Sequence, residues 1–445
     1  MADDDDPTYR RVPSGRLARL GVFGRLAGSV AGGMAAEGAR RLAAGQRPRA
    51  SEMLLTPANI GRLADQLSHL RGAAMKLGQM VSMDAGEFLP PELADIMARL
   101  RSNAHRMPPA QLNEVLGRAW GKDWRSRFQL FEATPVAAAS IGQVHRARTR
   151  DGRLLAVKVQ YPGVAKSIDA DVDNVATLLR VSGLLPRELD IAPLLAEAKR
   201  QLNEEADYRR EGEQLRRFAA WLANDPGFVV PALHDDLTTD DVLAMDYVAG
   251  EPIETLVDAS QDTRDAAVER LLALTFRELF EFGAMQTDPN FANYRVERET
   301  GRLILLDFGA ARDVPGWVSE GYHRLLVAGL NGNRDGVREA AVATGFLGPS
   351  AADTHRGTID DMIGVILERL DRPGAFDFAD RGFLQALREQ GMSVAADRSA
   401  WHLPPADTLF VQRKISGTAL LAARLAARVD VRALAERYRE WSLPV

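Results

Sequence analysis

The spacing of apolar positions divides the chain into stretches of different period. From about residue 57 to 118, Leu63, Leu67, Leu70, Ala74 and Leu77 recur at steps of three and four, as on one face of a helix, and Pro90-Pro91 opens the next helix. Between 134 and 160 the pattern shifts to β-branched residues on either side of Asp151-Gly152, which predicts strand, turn, strand. Residues 190–220 read as one long helix, 242–248 as a strand leading into a linker, and 266–282 as an apolar helix. Beyond Gly309 the period is helical to residue 445, with Pro and Gly breaks near 345–350 and 372–374. The last segment, 414–434, is amphipathic and interrupted by arginines, which rules it out as a transmembrane anchor.

Composition narrows the function classes. The 46% apolar and 26% charged residues are ordinary for a globular protein of several domains. A net charge of −5 and the lack of any basic cluster interleaved with aromatics argue against a nucleic-acid partner. With no cysteine, disulfides, thiolate metal sites and a thiol nucleophile are excluded. Lysine is scarce: the chain has 6, at 76, 122, 158, 166, 199 and 414, among 56 basic residues. Each remaining lysine therefore raises the question of whether a compact ammonium is required in place of a guanidinium fork.

The first 50 residues combine four aspartates at 3–6 with a basic segment in which Gly24, Gly28, Gly32 and Ala36 recur every four residues. That spacing suits a helix lying on a membrane surface or a partner, or a Gly/Ala-rich linker; its charges and length do not suit a membrane span or a secretory signal.

The chemistry gathers around residues 284–309. Asp288 stands five residues before Asn293, and Asp307-Phe-Gly follows fourteen residues later, the spacing of a kinase catalytic loop and metal-binding loop. Asp288 would orient or deprotonate an attacking hydroxyl or water, while Asn293 and Asp307 offer hard oxygens to Mg²⁺ on ATP phosphates. Upstream, Ala137-Ala138-Ala139-Ser140-Ile-Gly142-Gln-Val144 overlays a Gly-rich phosphate loop with alanine at its first two glycines. Lys158 follows Val144 by fourteen residues within Ala-Val-Lys. Alanine stiffens such a loop, because it does not adopt positive φ freely. The 190–220 helix carries Glu205, Asp207 and Glu211. Met245 and Tyr247, on the strand before the linker, complete the candidate nucleotide contacts. No Ala-Pro-Glu follows Asp-Phe-Gly, and the activation segment is short, from Ala310 to about Pro315.

Taken together, Lys76-Leu-Gly78-Gln79, the Ala-rich loop running to His145, Glu205-Ala-Asp207, the Asp288 loop and Asp307-Phe-Gly resemble the UbiB/AarF-type atypical kinases. Within these the chain is most similar to the branch that supports coenzyme Q biosynthesis in mitochondria. The resemblance implies a two-lobed, protein-kinase-like α+β fold with an N-terminal helical extension. It divides the chain into an N-terminal segment (1–50), the extension (51–130), an N-lobe (131–250) and a C-lobe (251–445). It also implies that the helix bearing Lys76 and Gln79 covers the active site near Glu205 and Asp207, and that Lys158 binds phosphates. Glu211 is favoured as the partner of Lys158, and Glu205 stays open.

The expected activity is that of an ATP- and Mg²⁺-dependent kinase or ATPase in ubiquinone or other prenyl-lipid biosynthesis. A nucleotide-gated lipid-binding scaffold and a conventional Ser/Thr kinase are the alternatives. The expected partners are a prenylated quinone precursor, the membrane surface, a second copy of the chain or enzymes of ubiquinone biosynthesis. The expected location is cytoplasmic, peripheral at the inner membrane.

Overall fold

The computed structural model describes residues 106–443 except Ser140, 182–191, Pro289, Pro373, Ala396, 398–401 and Leu403, together with the isolated positions Gly32 and Arg40. The expectations for Lys76, Gln79, Ser140 and the first hundred residues therefore fall outside the described residues. The chain forms two compact units. One takes the residues up to Arg216 plus Ala232–Val248, the other Arg217–Pro231 plus Ala249–Val445.

The first unit is built on an antiparallel sheet. Its strands are β1 (Phe128–Phe131), β2 (Ala137–Ala138), β3 (Gly142–Thr149), β4 (Leu154–Gln160) and Val242–Asp246. The order is β1, β3, β4, Val242–Asp246, with β2 paired to β3. The β3–β4 connection turns at Gly152, whose φ of +93° is the backbone state that Asp-Gly supplies in a hairpin. Leu155, Val157 and Val159 alternate onto one face of β4, where they meet Leu112, Leu116 and Trp120 of helix α1 (Pro109–Trp120) together with Trp124 and Phe128. Trp120, Trp124, Phe128 and Phe131 form an aromatic cluster of tilted and edge-on pairs with neighbouring ring centroids 5.0–6.5 Å apart.

After helix α2 (Ile168–Val181), the long helix expected over 190–220 proves to be two, α3 (Ala192–Glu205) and α4 (Tyr208–Trp221). The break has a local cause. Asp207 lies before the first turn of α4, and its Oδ1 accepts the Arg210 N–H at 3.0 Å, an N-cap that competes with continued helix. Gln160 of β4 then donates to the Ala206 carbonyl at 2.9 Å.

In the second unit, helix α5 (Gln261–Arg277) begins earlier than its apolar period suggests, because Ser260 Oγ caps it by accepting the Thr263 N–H. Its continuation, Glu278–Phe282, is a π-helical turn ended by Gly283 at φ +57°. Two carbonyls of that turn bond outside the helix: Ser319 Oγ donates to Leu279 O at 2.8 Å and Trp441 Nε1 to Phe280 O at 2.6 Å. Short strands follow. Ala284–Gln286 pairs with Ala311–Asp313, and Leu303–Leu305 lies between Phe228–Val229 and Tyr294–Val296.

Helices then occupy most of the remainder to Glu436, from Gly316–Leu330 through Ala406–Arg424 to Val431–Glu436. The segment read as one amphipathic stretch over 414–434 is broken after Arg424 by Ala426 at φ +48° and by the strand Arg428–Val429. Its first residue, Lys414, is buried in the helix interior.

Candidate active site

Strand register explains which loop residues can act together in the first unit. Directly opposed residues of an antiparallel ladder point to the same face. Ala137 opposes Val144, Val144 opposes Lys158, Lys158 opposes Leu243 and Ala156 opposes Met245, so Ala137, Val144, Lys158 and Met245 all stand on one face, away from the tryptophan core. Ala138, opposite Gln143, faces the other way. Ala137 and Ala138 are extended, and Ala139 closes a tight turn by donating from its N–H to Gly142 O at 2.8 Å. Gly142 is required by space, since a Cβ there would stand 2.5 Å from the Val159 carbonyl oxygen and 2.8 Å from Tyr208 Oη. Tyr247 donates its N–H to Leu154 O, and its ring lies under the Arg146 guanidinium.

Lys158 Nζ lies 3.0 and 2.9 Å from the two carboxylate oxygens of Glu211, on the first turn of α4. It also sits 5.3 Å above the Tyr208 ring. The break at 206–207 that begins α4 is therefore also what sets the position of Glu211 on its first turn. Glu205 ends α3, and Asp207 is the cap.

On the opposite face of the sheet, two polar side chains from the loop motif enter the apolar core. Gln143 Nε2 donates to His145 Nε2 at 2.9 Å, His145 Nδ1 donates to Glu132 O at 2.7 Å, and Gln143 Oε1 accepts the Met107 N–H at 3.0 Å. Burial, countered only in part by the Glu132 carbonyl, lowers the His145 pKa from 6.5 to about 4, so the imidazole is neutral. These two residues hold the loop in place from the core side.

In the second unit, the Asp288 loop is tied to the Asp307 turn by backbone and side-chain bonds. Asn290 donates its N–H to Asp288 Oδ1 at 3.3 Å, and Asn293 Nδ2 donates to Asp288 Oδ2 at 3.4 Å. Leu306 N–H donates to Asn293 O at 3.1 Å, and Gly309 N–H to Asp307 Oδ1 at 3.0 Å. Thr287 Oγ1 donates to Ala310 O at 2.8 Å. Phe308 packs on Phe218 with centroids 4.8 Å apart. Asn293 and Asp307 thus stand on adjoining strand ends with an amide oxygen and a carboxylate, while Asp288 is partly exposed. Hard oxygens in so small a number suit Mg²⁺, which keeps several waters and takes its remaining ligands from phosphates. Among the described residues no three or more His, Cys, Asp or Glu are grouped closely enough to hold a metal ion by themselves.

Pattern reading passed over one group. Lys414 Nζ lies 3.1 Å from Glu278 Oε2 and donates to Tyr294 Oη at 2.9 Å, wholly inside the second unit. The only signal for it in the sequence is the scarcity of lysine.

Among known proteins, the chain is similar to atypical kinases. The chain is 36% identical to the mitochondrial atypical kinase COQ8 of Saccharomyces cerevisiae over 94% of its own length and 83% of that protein. It is 37% identical to the mitochondrial atypical kinase COQ8B of Rattus norvegicus over 98% and 83% of the two chains. Among solved structures, Rv3197 of Mycobacterium tuberculosis, determined with erythromycin, superposes with a TM-score of 0.62 at 29% identity, covering 84% of this chain and 94% of that one. The fold is the two-lobed, protein-kinase-like α+β fold. Among the described residues no helix is long and apolar enough to cross a membrane. Residues 99–341 match the ABC1 atypical kinase-like domain, and the chain belongs to that family.

Proposed function

We propose that this chain is an ATP-binding, Mg²⁺-dependent atypical kinase or ATPase that supports ubiquinone, or another prenyl-lipid, biosynthesis at the membrane surface. The observation that carries the reading is the buried, two-oxygen pairing of Lys158 with Glu211, on the sheet face shared by Ala137, Val144 and Met245. A lysine held by hydrogen bonds to both oxygens of one carboxylate is pre-oriented, so it can donate to phosphate oxygens without first being ordered.

In this reading Ala137, Ala138, Ala139, Ser140, Gly142 and Val144 form the loop over the phosphates, with Met245 and Tyr247 as further nucleotide contacts. Asn293 and Asp307 would hold Mg²⁺, which would neutralise phosphate charge when bound. Asp288 accepts a proton from, or orients, the attacking water or small-molecule hydroxyl. Lys76 is assigned both to the catalytic set, with Asp288, Lys158 and Glu211, and, with Gln79, Glu205 and Asp207, to regulating access. The short segment after Asp-Phe-Gly, a strand over Ala311–Asp313 followed at once by helix, leaves little chain for a peptide-docking segment.

Purified Asp307→Asn protein tests the chemistry. Phosphate release from ATP should fall at least about 100-fold, with nucleotide binding in EDTA unchanged. Turnover at the wild-type rate would remove the mechanism. The pathway is tested by deleting the gene and profiling the quinone pool, where loss of ubiquinone with a piled-up prenylated precursor is expected. An unchanged pool would overturn the pathway assignment.

A further inference from the structure

The second unit holds a buried charge cluster that the proposed phosphoryl chemistry does not use. Lys414, in the helix Ala406–Arg424, is 2% exposed, and Glu278, on the π-helical turn, is 0% exposed. Lys414 Nζ meets Glu278 Oε2 at 3.1 Å and Tyr294 Oη at 2.9 Å. Burial opposes the charge on Lys414, but the facing Glu278 carboxylate and Tyr294 hydroxyl outweigh it, and its pKa is raised above the ordinary lysine value. A buried ion pair of this kind is commonly no better for stability than an apolar pair of the same volume. Stability alone is therefore a poor account of it.

The connections of the cluster give a better account. Glu278 Oε1 accepts the Gln286 N–H at 3.2 Å, two residues before Asp288. Tyr294 directly follows Asn293. The cluster thus grips the loop at both ends, Gln286 through the carboxylate and Tyr294 through the ammonium. Glu278, Gln286, Tyr294 and Lys414 also line one small cavity together with Asn293 and Asp307. A compact ammonium fits between one carboxylate and one phenol, where a planar guanidinium would need more room and more acceptors. In a chain with 6 lysines among 56 basic residues, that choice follows from the site.

We propose that Lys414, with Glu278 and Tyr294, is a buried clamp that positions the loop carrying Asp288 and Asn293. Lys414 is a positioning residue. Its effect on turnover rests on the function proposed above, whereas its effect on the loop does not.

The test uses the full chain carrying Lys414→Met, which keeps the volume and removes the charge. The double variant Glu278→Gln/Lys414→Met leaves no buried charge, in case the single one does not fold, and Tyr294→Phe removes only a hydroxyl. Hydrogen–deuterium exchange of residues 284–296 should rise about tenfold in either methionine variant and about threefold in Tyr294→Phe, while the helices Gly316–Leu330 and Arg356–Asp371 keep wild-type protection. The Mg²⁺ concentration for half-maximal ATP turnover should rise about tenfold in step with the exchange.

Wild-type exchange over 284–296 in the double variant and Tyr294→Phe would overturn the clamp, even with wild-type turnover confirming the kinase reading. So would a uniform rise across the second unit with unchanged Mg²⁺ dependence, the mark of a purely structural pair. Faster exchange confined to the loop, in a protein whose wild type shows no Mg²⁺-dependent turnover, would support the clamp and remove the function.

Discussion

Among the described residues each unit buries a lysine against a glutamate, and the two pairs differ in their surroundings. Lys158 lies on a sheet face with Ala137, Val144 and Met245, is paired with both carboxylate oxygens of Glu211, and has a side chain 9% exposed. Lys414 lies inside a helix-rich core, is shared between Glu278 and Tyr294, and has a side chain only 2% exposed. The first ammonium keeps a small exposure, whereas the second is sealed among protein atoms. On the function and the clamp proposed above, the same kind of ion pair is a binding group in one setting and a brace in the other, and access to water is what separates them.

The largest expected effect compares the two carboxylates. Glu278→Ala strands a fully buried ammonium and frees the Gln286 N–H, which should cost about 3–5 kcal/mol in urea unfolding. Glu211→Ala should cost roughly half as much, because the Lys158 ammonium can recover contact with water. Equal losses would mean that the two pairs do not differ in the way their burial indicates.

A neutral buried pair sharpens the contrast with the charged ones. In the unfolded chain His145 takes up its proton near pH 6.5, but in the fold only near 4, because burial disfavours the imidazolium. Between those values the unfolded state binds more protons, so stability falls as pH drops from about 6.5 to about 4 and is fully present above that window. The integrated loss is about 3 kcal/mol. Chemical unfolding from pH 7 to 4 should show it in the wild type and lack it in His145→Asn. Lys414, held above its ordinary value, keeps its charge throughout this window and contributes no such slope.

The same contrast explains what could be read from sequence. Asp288, Asn293 and Asp307 were legible because one loop and one turn fix their spacing, and Lys158 because a strand fixes its register to Val144. The choice between Glu205 and Glu211 was not legible, since helical periodicity runs through 190–220 and the break depends on a single capping side chain, Asp207. Gln143 and His145 read as part of a loop motif, yet the β3–β4 register turns them into the core. The Lys414 cluster was hidden for another reason. Its members lie 136 and 120 residues apart in sequence and follow no period, so only their packing brings them together.

The smallest expected effect isolates burial from geometry. Arg153 binds Asp236 through two parallel bonds of 3.0 Å, a better-formed contact than Lys414 makes with Glu278. Its side chains are 33% and 57% exposed, however, so both charges are already hydrated before the pair forms and salt screens what remains. Arg153 also keeps Asp151 at 2.9 Å and bonds His234 when Asp236 is removed. Asp236→Ala should therefore cost under about 1 kcal/mol, and less again in 0.5 M salt. A loss approaching that of Glu278→Ala, measured in the same urea series, would show that bond geometry, and not exclusion from water, sets the strength of ion pairs in this protein.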